Sequence, residues 1–462
     1  VRKVWFVLGW CFCVALPGYS QAVLSQPSWV VKPEWVRAHE EFLASDVMGG
    51  RGSATREEEI TATYVASEFM AYGLKPAPGT TGYIQAAELE APALDGKATL
   101  MVGALTLVEG TDFHLLTSSG ASVRGPLARV TGVAVASGSV LLVSDVPGAK
   151  NSMDALRQVG RLRPAMTIVV DDDSTRRFWG MDGETRVRMG LKGATSGMHE
   201  VTLVAVSGAA MEKLLAVGAA AEAVLEVHPK AVPVRKTFNA IGWLAGSQPD
   251  SGTLLLSAHL DHLGVGRSVQ GDAIYNGAND DAAGTTAVLE LAHALAAGPQ
   301  PKRNILFVCY GSEELGGLGS TYFGAHPPVP LMSLVANLEF EMIGNQDPKM
   351  PKGVLLLTGW ERSNLGPTLK EHGALLGPDP YPEQHFFQRS DNYSLALMGV
   401  VAHTAAGWGT PPTYHQPSDD LQHLDLGFMT AAIQSLVEPV RWLATSDFKP
   451  EWNPGGQPKG RE

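Results

Sequence analysis

Cysteine is almost absent: the chain has three in 462 residues, and two of them, Cys11 and Cys13, share one apolar run near the start. Only Cys309 lies outside that run, so after removal of residues 1–22 no disulfide can form within the chain. Basic residues are also few. Lys and Arg number 35 against 47 Asp and Glu, a formal net charge of -12, and no run of Lys and Arg occurs. Such a chain lacks the cationic surface that displaces counterions from a nucleic acid, and no nucleic-acid partner is expected. Beyond the start no stretch reaches 18 apolar residues, so the remainder carries no expected membrane anchor. Apolar residues themselves are plentiful, at 45% with 18% charged, which excludes a disordered chain. The length predicts two domains or three.

The start reads as an export leader. Arg2 and Lys3 precede the 14 apolar residues Val4–Pro17, and Ser20 and Ala22 offer the small-residue spacing for cleavage after Ala22. That apolar length falls short of the roughly 20 residues of a spanning helix. A signal peptide over 1–22 predicts an exported protein, periplasmic or extracellular; the competing reading is an uncleaved anchor. Cleavage removes Arg2 and Lys3 and takes the formal charge from -12 to -14.

Texture divides the rest. Residues 23–119 form an N-terminal part with a broken helical stretch: Trp35, Phe42 and Leu43 precede Gly49, Gly50 and Gly52, and Ile60, Tyr64, Val65, Phe69 and Tyr72 then share one helical stripe that Gly73 ends. Residues 120–232 carry short Val-rich runs punctuated by Gly and Pro, with no polar residues at metal-binding spacing, and read as an inserted β-rich α+β domain. Residues 233–446 alternate apolar strands with helices. Thr253–Ser257, Ile305–Tyr310, Leu334–Phe340 and Gly399–Thr404 are the strands, with helices at Ala282–Ala297 and Leu426–Leu443. Fully apolar strands between helices predict an α/β fold with a mainly parallel mixed sheet flanked by helices. Residues 447–462 form a polar, Pro- and Gly-containing tail, expected to be loosely held.

Acidic residues and histidines gather where the predicted strands end. Thr253–Ser257 runs into Ala258-His259-Leu260-Asp261-His262, Ile305–Tyr310 into Gly311-Ser312-Glu313-Glu314, and the strand from Leu334 into Glu339-Phe340-Glu341. Open α/β sheets form their sites beyond the carboxyl ends of such strands. Asn279-Asp280-Asp281 precedes a helix, and Tyr414-His415 follows the last strand. Singly each has an ordinary explanation: a structural histidine, a helix cap, a solvated acidic pair. Together they make a His, Asp, Glu-Glu, Glu, His set suited to zinc, which accepts imidazole nitrogen and carboxylate oxygen.

Five segments, SAHLDHLG from Ser257, NGANDDAAG from Asn276, GSEELGGLGS from Gly311, NLEFEMIG from Asn337 and YHQPSDDL from Tyr414, resemble in this order the signatures of the aminopeptidase Y/glutamate carboxypeptidase family of co-catalytic zinc metallopeptidases. LASDVMGGRGS from Leu43 resembles the N-terminal region of its bacterial members, and residues 120–232 resemble the protease-associated domain that many members carry. The resemblance covers nearly all of the chain after residue 22. It implies two zinc ions, His259 and Glu341 on one, Glu314 and His415 on the other, with Asp280 bridging. It further implies Glu313 as general base, Asp261 behind His259 orienting the imidazole, and Tyr414 as oxyanion donor, the last being equally readable as a packing aromatic. Four positive charges would then meet the three carboxylates of Asp280, Glu314 and Glu341.

Two positions depart from the family pattern. Its fourth motif usually ends in Asp, where this chain has Glu341, and Glu339 is the rival ligand. Many members have Ser-Asp-His where this chain has Ser390-Asp391-Asn392, and Asn392 cannot carry a proton. Arg389 and Asp391 are further candidates for substrate contact. His262, His293, His326, His372, His385, His403 and His423 are expected to be structural or on the surface. The expected function is a secreted exopeptidase acting on small peptide substrates, an aminopeptidase first. A carboxypeptidase or dipeptidase on the same scaffold comes second, ahead of a single-zinc glutaminyl cyclase or a non-catalytic receptor-like protein.

Overall fold

A computed structural model describes residue 1 and residues 29–460, apart from 91–92, 119, 131–139, 160–161, 163, 180–185, 188, 194–201, 219–220 and 231–232. The expected leader, from residue 2 on, lies outside the described residues.

Among the described residues, two nine-stranded sheets organise the chain. In the first, the order is Gly190–Leu191, Ile84–Glu90, Arg235–Leu244, Asn304–Tyr310, Thr253–His259, Leu334–Glu341, Ala402–Ala406, Leu355–Leu357 and Leu376–Pro378. Its centre is parallel: Thr253–His259 runs alongside Asn304–Tyr310 and Leu334–Glu341, and the latter alongside Ala402–Ala406. The flanking strands Arg235–Leu244 and Leu355–Leu357 join antiparallel. The sheet is thus mixed around a parallel core, as the apolar runs predicted.

Those runs are fully apolar because both faces are covered. Successive strand residues point to opposite faces. Leu254, Leu256, Ile305 and Phe307 accordingly join one core, with Val65, Phe69, Ala287, Leu291, Ile433 and Leu436 from the long helices Arg56–Ala71, Ala283–Ala296 and Leu426–Thr445. Leu255, Leu306, Val308 and Tyr310 join the other, with Phe323 and Leu395 from the short helices Leu318–Ala325 and Asn392–Leu397. Leu256 is 0% exposed, and Leu256→Ala at such a site costs about 2–5 kcal/mol.

The second sheet corrects the expected domain boundary. It contains Thr99–Val102, Leu105–Val108 and Phe113–Ser118 as well as the strands between Val123 and Glu226. The inserted unit therefore begins before residue 99, not at 120. Thr99–Val102 pairs with Glu222–Glu226, so the first and last strands of this sheet in chain order lie side by side. Here too alternation feeds two cores: Val140 and Leu142 pack on one side, Leu141 and Val143 against Ala155, Leu156 and Val159 of the helix Ser152–Val159 on the other.

A second correction concerns the tail, which is docked rather than loosely held. Trp452 pairs with Ser363 across a β-bridge, donates its indole N–H to the Gly399 carbonyl, and sets its ring edge-on to Phe387. Asn453 donates to the Arg362 carbonyl, and the Tyr393 hydroxyl donates to that of Gly460. One large aromatic anchor outweighs the polar composition around it.

Candidate metal centre

The expected site residues leave the carboxyl ends of the parallel strands and converge. His259 closes the central strand, Glu341 ends the neighbouring strand, and Glu313 and Glu314 follow Tyr310. Asp280 lies just before the helix Ala283–Ala296, and His415 follows Ala402–Ala406. His259 Nε2 is 3.2 Å from Asp280 Oδ1. His415 Nε2 is 3.2 Å from the other oxygen, Oδ2, and 3.4 Å from Glu314 Oε2. Ligand atoms about 2.0–2.1 Å from a tetrahedral zinc stand about 3.3–3.4 Å apart, so these spacings suit cation ligation. Two groups have ligand atoms all within 4.8 Å of one another, His259–Asp280–Glu341 and His262–Asp280–Glu314. Asp280 belongs to both, one oxygen to each side.

Hydrogen-bond accounting separates the acids facing this cavity from those that build it. His259 Nε2, Asp280 Oδ1, Glu314 Oε1 and both ring nitrogens of His262 are buried without a hydrogen-bond partner. Such orphaned groups cost free energy unless something else satisfies them. Glu339, the rival of Glu341, is by contrast saturated: Oε1 accepts from the Ser390 hydroxyl, Oε2 from the Asn392 N–H and the Thr404 hydroxyl. The structure therefore places Glu341, and not Glu339, in the cluster.

Each loop of the centre is tied down by a further carboxylate. Asp261 accepts the N–H groups of Glu313 and Glu314 and the hydroxyl of Ser53. Its carboxylate stays 3.7 Å from His259 Nδ1, whose nearer neighbour is the Asp261 backbone carbonyl at 3.2 Å. The imidazole is thus oriented by the main chain of Asp261, while the side chain fixes the Glu313–Glu314 loop. Asp281 accepts from His259, Gly284 and Met342, and its peptide bond with Asp280 is cis. Asp419 takes the N–H of Asn279 on one oxygen and that of Asp280 on the other, each at 3.0 Å. Glu58, from the helix Arg56–Ala71, accepts from Ala54, Thr237, Phe238 and Ser312. A Cβ at Gly311 would stand 2.5 Å from its Oε1, which requires glycine there.

The ionisation states follow from crowding these groups together. Burial opposes a charged imidazole at His415, yet Asp280 and Glu314 outweigh it and push its pKa up to about 10. Burial and Asp280 raise Glu314, but His262 and His415 bring it down to about 2. Burial, with Asp391, Glu314 and Glu341 nearby, lifts Glu313 well above the carboxylate range against the pull of His259. Without a cation His259 and His415 are the imidazoles whose raised pKa supplies compensating charge; a divalent cation fits the same donors directly.

His262, expected to be structural or on the surface, is buried and stands within the cluster. It is 0% exposed, with Nδ1 2.8 Å from Glu314 Oε1 and 3.9 Å from Asp280 Oδ2. The signal was its place three residues after His259 in the same loop. Tyr414 stacks on His415 at 3.9 Å and lines a cleft with Glu341, Met342, Leu356, Phe386 and Arg389. The cleft encloses about 410 Å³ including its open mouth. Arg389 is exposed, lies over the Phe386 ring, and has no carboxylate partner among the described residues. Asp391 is buried with neither oxygen hydrogen-bonded.

The mixed sheet and the paired clusters of histidines and carboxylates at its strand ends form a candidate cation site. Residues 239–438 match the model of Peptidase family M28. Leupeptin-inactivating enzyme 1 of Streptomyces exfoliatus is 35% identical over 165 residues, 35% of this chain and 34% of that protein. Aminopeptidase YwaD of Bacillus subtilis is 27% identical over 182 residues, 38% and 39% of the two chains. The matched segment thus spans little more than a third of the length of these curated relatives. Solved structures share the fold along most of the chain. The aminopeptidase from Aneurinibacillus sp. strain AM-1 superposes with a TM-score of 0.55 at 18% identity, covering 90% of this chain and 94% of that one. The zinc aminopeptidase of Bacillus subtilis gives 0.53 at 19%, covering 90% and 96%.

Proposed function

We propose that the chain is a two-zinc aminopeptidase acting on short peptides. The observation that carries this is Asp280, whose two oxygens face separate groups, one with His259 and Glu341 and the other with His262 and Glu314. His259 and Glu341 would hold one zinc, His415 and Glu314 the other, with Asp280 between them. Bound zinc would supply Lewis-acid polarisation of the scissile carbonyl and of the attacking water. Glu313, half-buried beside Glu314 and making no hydrogen bond through its carboxylate to the described residues, takes the proton of that water and delivers it to the leaving amine. Burial raises its pKa above the ordinary carboxylate range, the direction that suits a group which accepts and then returns a proton. Tyr414, whose phenol burial keeps protonated, lines the cleft and would donate to the developing oxyanion.

Relatives support the direction of attack: two of those matched are aminopeptidases by name, YwaD of Bacillus subtilis and the aminopeptidase of Pseudomonas aeruginosa. Arg389 favours a second reading. An unpaired guanidinium at the cleft mouth suits a substrate carboxylate, as in a carboxypeptidase or dipeptidase, and Carboxypeptidase Q of Mus musculus is 34% identical over 104 residues. Amino-acid p-nitroanilides and N-blocked dipeptides, each with and without chelator, separate the two. Chelator-sensitive release of p-nitroaniline is expected; cleavage of the blocked dipeptides alone would replace the aminopeptidase reading with the second.

Export rests on residues 1–22, and no helix of the described residues is long and apolar enough to cross a membrane. Amino-terminal sequencing of protein recovered outside the cytoplasm should begin at Val23. We further propose that the inserted unit limits access to the cleft, so that short peptides are cut and folded proteins are not. Efficient digestion of a folded protein would contradict it.

A further inference from the structure

We propose that His262 is a direct ligand of the second cation, completing a site of His262, His415, Glu314 and Asp280 and making the two metal positions unequal. This rests on the two-zinc reading and adds a ligand to it.

The imidazole is sealed inside the protein, and neither ring nitrogen has a hydrogen-bond partner among the described residues. Its Nδ1 approaches Glu314 Oε1 to 2.8 Å, yet the pair lacks the alignment of a hydrogen bond. Two donor atoms this close and not aimed at each other are arranged as ligands aimed at a third centre. The second oxygen of Asp280 is 3.9 Å from Nδ1, and the His415 ring stands edge-on with centroids 5.7 Å apart. His259 meets the first oxygen of Asp280. The turn through Leu260 and Asp261 therefore presents its two histidines to opposite sides of one carboxylate.

The fold fixes His262 in this place. Its N–H donates to the Arg51 carbonyl, and its own carbonyl accepts from Ser53. Arg51, itself fully buried, spends its guanidinium on the carbonyls of Leu43, Leu260, Asn276 and Gly277, clamping the walls around the ring. Gly277 has φ +60, and a Cβ there would lie 2.5 Å from the His262 ring. The wall is cut back to a hydrogen atom where the imidazole passes.

The consequence is an asymmetric pair. Four protein groups close the second position, whereas His259, Asp280 and Glu341 supply three to the first. Zinc sites with four protein ligands are characteristically structural, and those with three keep a place open for water or substrate. The first cation is then the exchangeable one, on the side of the cleft that Glu341 lines, and the second is held fast.

Crystals of the zinc-loaded full chain, with anomalous data at the zinc edge, test this on the unaltered protein. Nδ1 of His262 is expected about 2.0–2.1 Å from the second zinc; a separation beyond about 3 Å, with both zinc ions present, overturns the inference and leaves the two-zinc reading intact. Absence of bound zinc would overturn both. Calorimetric titration of the metal-free chain gives the companion measurement. Two unequal steps are expected, with His262→Ala weakening the tighter by at least about a hundredfold and leaving the weaker unchanged. Two equal steps, or a His262→Ala chain that keeps the tighter one, overturn the assignment.

Discussion

Adjacent acids stand in contrasting surroundings in the inserted unit and at the end of the main sheet. In the inserted unit, Asp171-Asp172-Asp173 opens the helix Asp173–Trp179. Asp172 accepts from the N–H groups of Ser152, Ser174 and Thr175 and from the Ser174 hydroxyl. Burial works against its charge, but those bonds hold its carboxyl well below the usual range. Asp171 is paired with Arg176. Around the sheet end, Asp280 and Glu314 are more deeply buried and keep oxygens without a hydrogen-bond partner among the described residues. Acidity alone distinguishes neither run. The donors left over do: a satisfied acidic run is a helix cap, and an unsatisfied one opposite imidazoles is a place for a cation.

Substitutions can break this contrast at four levels. The largest effect is expected from Glu313→Gln, which should lower kcat by about 10²–10⁴-fold while zinc content, measured by atomic emission, is unchanged. Loss of zinc with activity would instead make Glu313 part of the ligand shell. Next comes Asp419→Asn. An amide offers one acceptor where the loop presents two N–H groups, and its NH₂ would face the second. Zinc affinity should fall about 10–100-fold, read by competition with a chromophoric chelator.

Glu40 gives a smaller effect and tests a buried acid that faces no cation site. Burial, only partly offset by the Thr286 hydroxyl and by Arg51, raises it to about 8 from 4.5. Between those values the native chain holds a proton that the unfolded chain has released, so stability falls as pH rises from about 4.5 to about 8. The slope approaches about 1.4 kcal/mol per pH unit. Urea denaturation at several pH values should show this slope flattened in Glu40→Gln; an unchanged slope assigns it elsewhere. Smallest is Asp172→Ala, a lost cap worth about 0.5–2 kcal/mol, visible as a lower midpoint for the inserted unit with kinetics and zinc content untouched.

Much of the site was legible in the sequence because strand ends and ligands coincide. His259, Glu313-Glu314 and Glu341 sit where apolar runs stop, and the position of a strand end follows from composition alone. The acids that build the loops were not legible. Glu58 lies 254 residues from the Ser312 hydroxyl it accepts, and Asp419 139 from the Asp280 N–H; only the assembled fold brings such partners together. Backbone conformation was equally hidden. Ser312, Met342 and His415 all have positive φ, at 51°, 54° and 55°. These are uncommon values for residues with a side chain, and they lie beside or on the proposed ligands. The early start of the inserted unit was missed because Thr99–Val102 and Leu105–Val108 are each four residues long, too short for periodicity to register.

The two residues Gly190–Leu191 are a small part of the inserted unit, yet they pair with Glu90 and Leu89 on the outermost long strand of the main sheet. Leu191 and Met189 also cover Leu89, which is 0% exposed. Anyone trimming the chain to a minimal peptidase would remove this cover with the rest. The truncated protein would then present a long strand with free N–H and C=O groups and an uncovered leucine. Strands of that kind recruit one another into aggregates. A shortened version intended to stay soluble would need a charged or proline-containing replacement for 189–191, because solubility here is a property of the join between the two units.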